Sequence, residues 1–152
     1  WEDLPVGTTL DIGSTTVDRD EVIAFASKYD PQPFHLDEAA AAKSMFGQLS
    51  ASGWHTCAMA MGLMVRGFLH ESSSLGSPGL EKVSWLTPVY PGDTLTLKQT
   101  ILESRPMKSR PDVGLTRTLW EMFNQHGEQV LMMDGYGMFR RRTPAPADSA
   151  SK

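Results

Sequence analysis

Cysteine is almost absent. Cys57 is the only one, so no disulfide can close within the chain, and the cross-linked framework of a small secreted domain is excluded. A reducing, cytoplasmic setting is the expectation. No apolar run reaches the roughly 20 residues that a membrane-spanning helix needs. The opening Trp1-Glu2-Asp3-Leu4-Pro5 also lacks the basic start and apolar core of a signal peptide, so no membrane role is expected. Positive charge is scarce: 14 Lys and Arg face 18 Asp and Glu, a formal net charge of -4. A nucleic-acid surface needs the opposite balance to displace counterions from phosphates, and no nucleic-acid partner is expected. There is no metal-ligand cluster, no glycine-rich phosphate loop and no Ser/His/Asp nucleophile signature. What remains is ordinary for a globular protein: 40% hydrophobic and 21% charged over 152 residues, enough for one domain with a core. That domain is read as residues 1–142. The Pro/Ala/Ser-rich stretch 143–152 is read as a disordered tail.

The patterning separates into helices first and strands later. Residues 7–17 read as a strand kinked at Gly13. Asp18 with Glu21 three positions on then forms a capping-box pattern, and Val22, Phe25, Ala26 and Tyr29 follow on one helical face. Pro31 and Pro33 break that helix, so residues 30–35 are expected to be a stiff loop. Helical composition resumes over 36–46 and stops at Gly47. Residues 53–70 are the most apolar segment, with apolar side chains on more than one face, which predicts a helix buried nearly all round. After a Ser/Gly/Pro connection at 72–79 come four strand patterns, 80–90, 94–104, 113–124 and 129–141, the last two joined by the turn Asn124-Gln125-His126-Gly127. One strand, then helices, then an antiparallel four-strand meander is an α+β order, a sheet laid over one long helix. A twisted sheet wrapped round a buried helix is the hotdog arrangement.

Chemistry concentrates in Tyr29-Asp30-Pro31-Gln32-Pro33-Phe34-His35. An acid and an imidazole five residues apart on a proline-stiffened segment can grip one water, one group taking its proton while the other delivers a proton to substrate. The same two residues also fit roles as turn and helix caps. Gly53 opens the apolar helix, where the first amides have no partner in the helix and no side chain blocks a ligand oxygen. Such an amide, backed by the helix dipole, suits negative charge growing on a carbonyl oxygen. It is equally the ordinary start of a helix.

The chain resembles the MaoC-like hydratases and dehydratases, which include the (R)-specific enoyl-CoA hydratases. The resemblance is carried by Glu2-Asp3-Leu4-Pro5-Val6-Gly7, by Asp30-Pro31-Gln32-Pro33-Phe34-His35, by Phe46-Gly47 through Gly53, and by Val89-Tyr90-Pro91-Gly92-Asp93-Thr94-Leu95, in that order. It implies a hotdog fold and a catalytic dyad of Asp30 and His35, with the Gly53 amide as oxyanion donor. The implied reaction is reversible hydration of a trans-2-enoyl thioester, usually of coenzyme A, to the (R)-3-hydroxyacyl thioester. No cofactor is implied beyond the carrier, coenzyme A or acyl carrier protein, that belongs to the substrate. A homodimer or a multiple of it is implied, with sheets joined edge to edge. The sequence departs from the usual motif at two places, Tyr29 for Gly and Gln32 for Asn, so these bear on substrate choice.

Around that core, Tyr29, Gln32, Phe34, Trp54 and His55 are candidates for substrate contact, although His55 also suits a structural place at the helix start. Met59, Met61 and Met64 beside small residues suit either an acyl tunnel or plain core. Arg105, Lys108 and Arg110 suit the phosphates of coenzyme A or simple solvation. Two rival readings are a hotdog thioesterase and a non-catalytic acyl-thioester-binding module.

Overall fold

A computed structural model describes residues 1–144. The expected tail lies outside the described residues from position 145 onward. The order is β1 (Thr9–Thr16), α1 (Arg19–Tyr29), α2 (Pro33–Leu36), α3 (Glu38–Ala42), α4 (Gly53–Gly67), a 3-10 turn (Leu69–Glu71), β2 (Ser74–Gly76), β3 (Leu80–Trp85), β4 (Thr94–Pro106), β5 (Val113–Phe123) and β6 (Gln129–Arg140).

Local chemistry explains most boundaries. β1 shifts register between Asp11 and Gly13, and Gly13 holds φ 148, where a side chain would be strained. Asp18 caps α1 by accepting the Glu21 amide at 3.0 Å. The reciprocal half of the capping box is not made, because Glu21 Oε1 meets His55 Nε2 at 3.1 Å instead.

The stiff loop expected over 30–35 is shorter than that. Pro33 occupies the first turn of α2, where a missing amide hydrogen is no loss, so it starts a helix instead of preventing one. The single helix expected over 36–46 is likewise broken. Asp37 leaves helical geometry and caps α3, accepting the Ala40 amide at 3.0 Å.

The sheet runs β1-β4-β5-β6-β2, and β3 also pairs with β6. Only β4, β5 and β6 form a meander. The strand expected over 80–90 ends at Trp85 and joins the far side of β6, away from β4, and the short β2 inside the expected connection makes six strands. All pairings are antiparallel, and the curled sheet closes over α4. Ala60, Leu63 and Met64 of the helix meet Leu95, Leu97, Met122, Val130 and Leu131 of the strands in one core. This is the hotdog fold.

One expectation about α4 is corrected. Trp54, Ala58, Met61 and Val65 form an exposed stripe, with Trp54 60% and Met61 46% accessible, so the helix is not buried all round. The stripe is apolar, which is why hydropathy alone reads it as core. No helix among the described residues is long and apolar enough to cross a membrane.

Candidate active site

The end of α1, the start of α2 and the start of α4 converge on one cleft of about 330 Å³, lined by Asp30, His35, Ser50, Gly53, Trp54 and Trp85 among others. His35 is buried on α2, and its Nδ1 lies 2.6 Å from the Ser50 carbonyl oxygen. A carbonyl can only accept, so Nδ1 carries a proton and the ring turns Nε2 to the cleft side. Nε2 faces Asp30 Oδ2 at 3.4 Å.

Asp30 is not a cap by its side chain. Oδ1 accepts from Gln32 Nε2 and Oδ2 from Ser52 Oγ, each at 2.7 Å, which leaves each oxygen a second lone pair. Burial alone would raise the Asp30 carboxyl. The bonds from Gln32 and Ser52, with the nearby His35, outweigh it and hold the group below the usual carboxylate range. The pair is therefore an ionised carboxylate beside a ring nitrogen whose ring is held from behind.

Ser52 does two jobs. It caps α4, accepting the Trp54 amide at 3.3 Å, while donating to Asp30. That leaves the Gly53 amide with no acceptor among the described residues. It stands at the positive end of α4 in the same cleft. Gly53 is required by its neighbour: a Cβ there would lie 2.6 Å from the Trp85 indole, whose Nε1 donates to the Gly53 carbonyl at 2.8 Å.

The other sequence candidates divide. Trp54 lines the cleft. Gln32 is tied to Asp30, acting on the acid directly. Phe34 packs against His35 at 4.6 Å and Phe46 at 5.2 Å, supporting the dyad from behind. Tyr29 is exposed, rests on Phe25 at 5.2 Å and does not line the cleft. His55 is buried away from it, stacked on Phe25 at 4.7 Å. Arg105, Lys108 and Arg110 sit at the β4–β5 hairpin, whereas the cleft floor includes Val130 at the start of β6. None of the three lines the cleft, and Arg110 is paired with Asp112 at 3.0 Å. Within one chain they are not brought to the dyad. Met61 and Met64 line a second cavity, whereas Met59 is core.

Sequence reasoning missed Ser50, Ser52 and Trp85. Ser52 had a signal, a serine just before an apolar helical run. Trp85 had none, being 32 residues from its partner. Among the described residues no group of three or more His, Cys, Asp or Glu converges as a metal site would.

With this geometry in place, comparison with known proteins is informative. Residues 4–121 match the family described as MaoC like domain. The chain belongs to that family. A crystal structure of the MaoC-like dehydratase from Rhodospirillum rubrum is 42% identical, with a TM-score of 0.86, covering 93% of this chain and 97% of that one. The uncharacterised protein YdeM of Bacillus subtilis is 27% identical over 88% of this chain and 92% of its own length. The 3-hydroxybutyryl-CoA dehydratase of Methylorubrum extorquens is 27% identical over 86% and 82%. Within the MaoC-like frame, the cleft at Asp30, His35 and Gly53 is the candidate active site.

Proposed function

We propose that the protein reversibly hydrates a trans-2-enoyl thioester to the (R)-3-hydroxyacyl thioester. The observation that supports this is that Asp30, His35 and Gly53 line one cleft, with Asp30 Oδ2 3.4 Å from His35 Nε2 and the Gly53 amide unpartnered among the described residues. In the hydration direction, one water lies between the carboxylate and the ring. Its oxygen adds to the β-carbon as His35 Nε2 takes one proton, while Asp30 holds the other hydrogen and stabilises the imidazolium. Electron density moves to the thioester oxygen, which the Gly53 amide and the α4 dipole stabilise. The proton taken from the water is returned to the α-carbon on the same face, so one water is added and nothing else is consumed. No cofactor beyond the carrier of the acyl group enters this scheme. An acyl-thioester substrate and a lone cysteine agree with a cytoplasmic setting.

A homodimer is part of the proposal. The apolar stripe Trp54, Ala58, Met61 and Val65 lies beside exposed Leu80, Trp85 and Leu86 on and after β3, whose outer edge has no strand partner among the described residues. A second copy would cover both.

The reaction is tested by following enoyl absorbance with crotonyl-CoA and longer trans-2-enoyl-CoAs while titrating free thiol. Absorbance lost with the thioester intact supports hydration. Thiol released from acyl-CoA would instead identify a thioesterase, and tight binding without turnover a non-catalytic module.

A further inference from the structure

Behind the dyad cleft, a second cavity of about 320 Å³ lies between α4 and the inner face of the sheet. The two share no lining residue. They are one helical turn apart along α4, Gly53 lining one and Cys57 the other. Trp85 lines the cleft and is held to the start of α4, its Nε1 donating to the Gly53 carbonyl at 2.8 Å.

The inner cavity is apolar, with Met61, Met64, Phe68, Leu80, Met133 and Phe139 in its lining, and no Lys, Arg or His. Into this surface β4 places Gln99, which is 2% exposed. Its amide orientation is settled by chemistry. Trp120 Nε1 can only donate, and it donates to Gln99 Oε1 at 3.0 Å across the register pair Gln99–Trp120. The Nε2 group therefore points the other way, and it is buried without a partner among the described residues.

A donor sealed from water and left unmatched weakens the fold, and native structures seldom keep one without a use. A leucine at 99 would remove that donor but leave Trp120 Nε1 without its acceptor. The cost is removed when an acceptor enters the cavity and a small outward shift of Gln99 brings an N–H to it.

We propose that the inner cavity receives the distal part of the acyl chain and that Gln99 selects chains bearing an uncharged oxygen acceptor, a keto or ether group, beyond the reacting carbons. This rests on the hydratase reading for the identity of the acyl thioester. A terminal carboxylate is a poor fit, because no cation lines the cavity to compensate its burial. Joining the two cavities requires a side-chain shift at the start of α4, and Trp85, in the cleft lining and 47% exposed, has room to make it.

The test compares saturated acyl-CoAs of six to ten carbons with the same chains carrying a keto oxygen at each position beyond the fourth carbon. Binding is measured by calorimetry, and the matching trans-2-enoyl-CoAs are used for kcat/KM. Wild type should favour one keto isomer over the plain chain by roughly tenfold or more, the scale of one buried hydrogen bond. Gln99→Met removes the Nε2 donor at similar volume, leaving only a weak thioether acceptor for Trp120, and should abolish the preference. Gln99→Leu should reverse it in favour of the plain chain, with melting curves confirming that both variants fold. No preference in wild type, as when a buried water satisfies Nε2, overturns the inference, as does a preference that survives both substitutions. Keto-selective binding without turnover sinks hydration and leaves the Gln99 assignment standing. Turnover without keto preference does the reverse, and absence of both binding and turnover overturns both.

Discussion

Asp30 owes its charge to two neutral side chains, and each can be removed. Its folded pKa is depressed, so it contributes stability that is fully present above its unfolded value of about 3.9 and is lost as pH falls through the folded value. Ser52→Ala takes away the 2.7 Å donor and the α4 cap together. We expect the Asp30 pKa to rise, read by NMR titration of its carboxyl carbon, and about 0.5–2 kcal/mol of stability to be lost with the cap. A carboxyl titration that stays in place would show that Ser52 does not hold it down. Gly53 is constrained differently. Gly53→Ala pushes a methyl into the Trp85 indole, an overpacking expected to cost about 1–3 kcal/mol. Urea melts of Gly53→Ala, Trp85→Ala and the double variant should be non-additive, the alanine at 53 costing much less once the indole is gone.

Among the elements, α4 carries the most, since it presents the Gly53 amide at its start, core residues on one side and an apolar stripe on the other. Light scattering should report a dimer for wild type and a monomer for Met61→Glu combined with Val65→Glu, two positions 46% and 40% accessible in the single chain. A wild-type monomer would contradict the proposed interface. The same helix shows where sequence reading reaches and where it stops. Its start, the Asp18 cap, the Gly13 kink and the Asn124–Gly127 turn were legible because each is a local signal a few residues long. Hydropathy could not distinguish the exposed stripe from core, because Trp, Ala, Met and Val on an exposed face have the same hydropathy as on a buried one. Pro31 lies in the expected loop, but Pro33 was misread for a related reason. Proline forbids the middle of a helix but suits its first turn, and only the structure shows that Pro33 stands at a start.

For the molecule as a whole, the helix-then-strand order and the motif at 30–35 were enough to indicate the hotdog arrangement and the dyad. Sheet order was not legible, since β3 pairs with β6 across more than 40 intervening residues and nothing local states that choice. The same holds for Trp85 against Gly53 and Gln99 against Trp120, contacts made by topology alone. The curled sheet places these distant residues round one helix, so that the Asp30–His35 pair, the Gly53 amide and the second cavity all meet the first two turns of α4. The central claim is that this assembly adds water through Asp30. The most direct measurement is kcat/KM, with chiral product analysis, for wild type and Asp30→Asn on trans-2-enoyl-CoAs of increasing length. The account predicts (R)-3-hydroxyacyl-CoA from wild type and a loss of roughly a hundred- to ten-thousand-fold in the variant, with its melting curve retained. Hydration unaffected by Asp30→Asn, or no hydration of any chain by wild type, would contradict it.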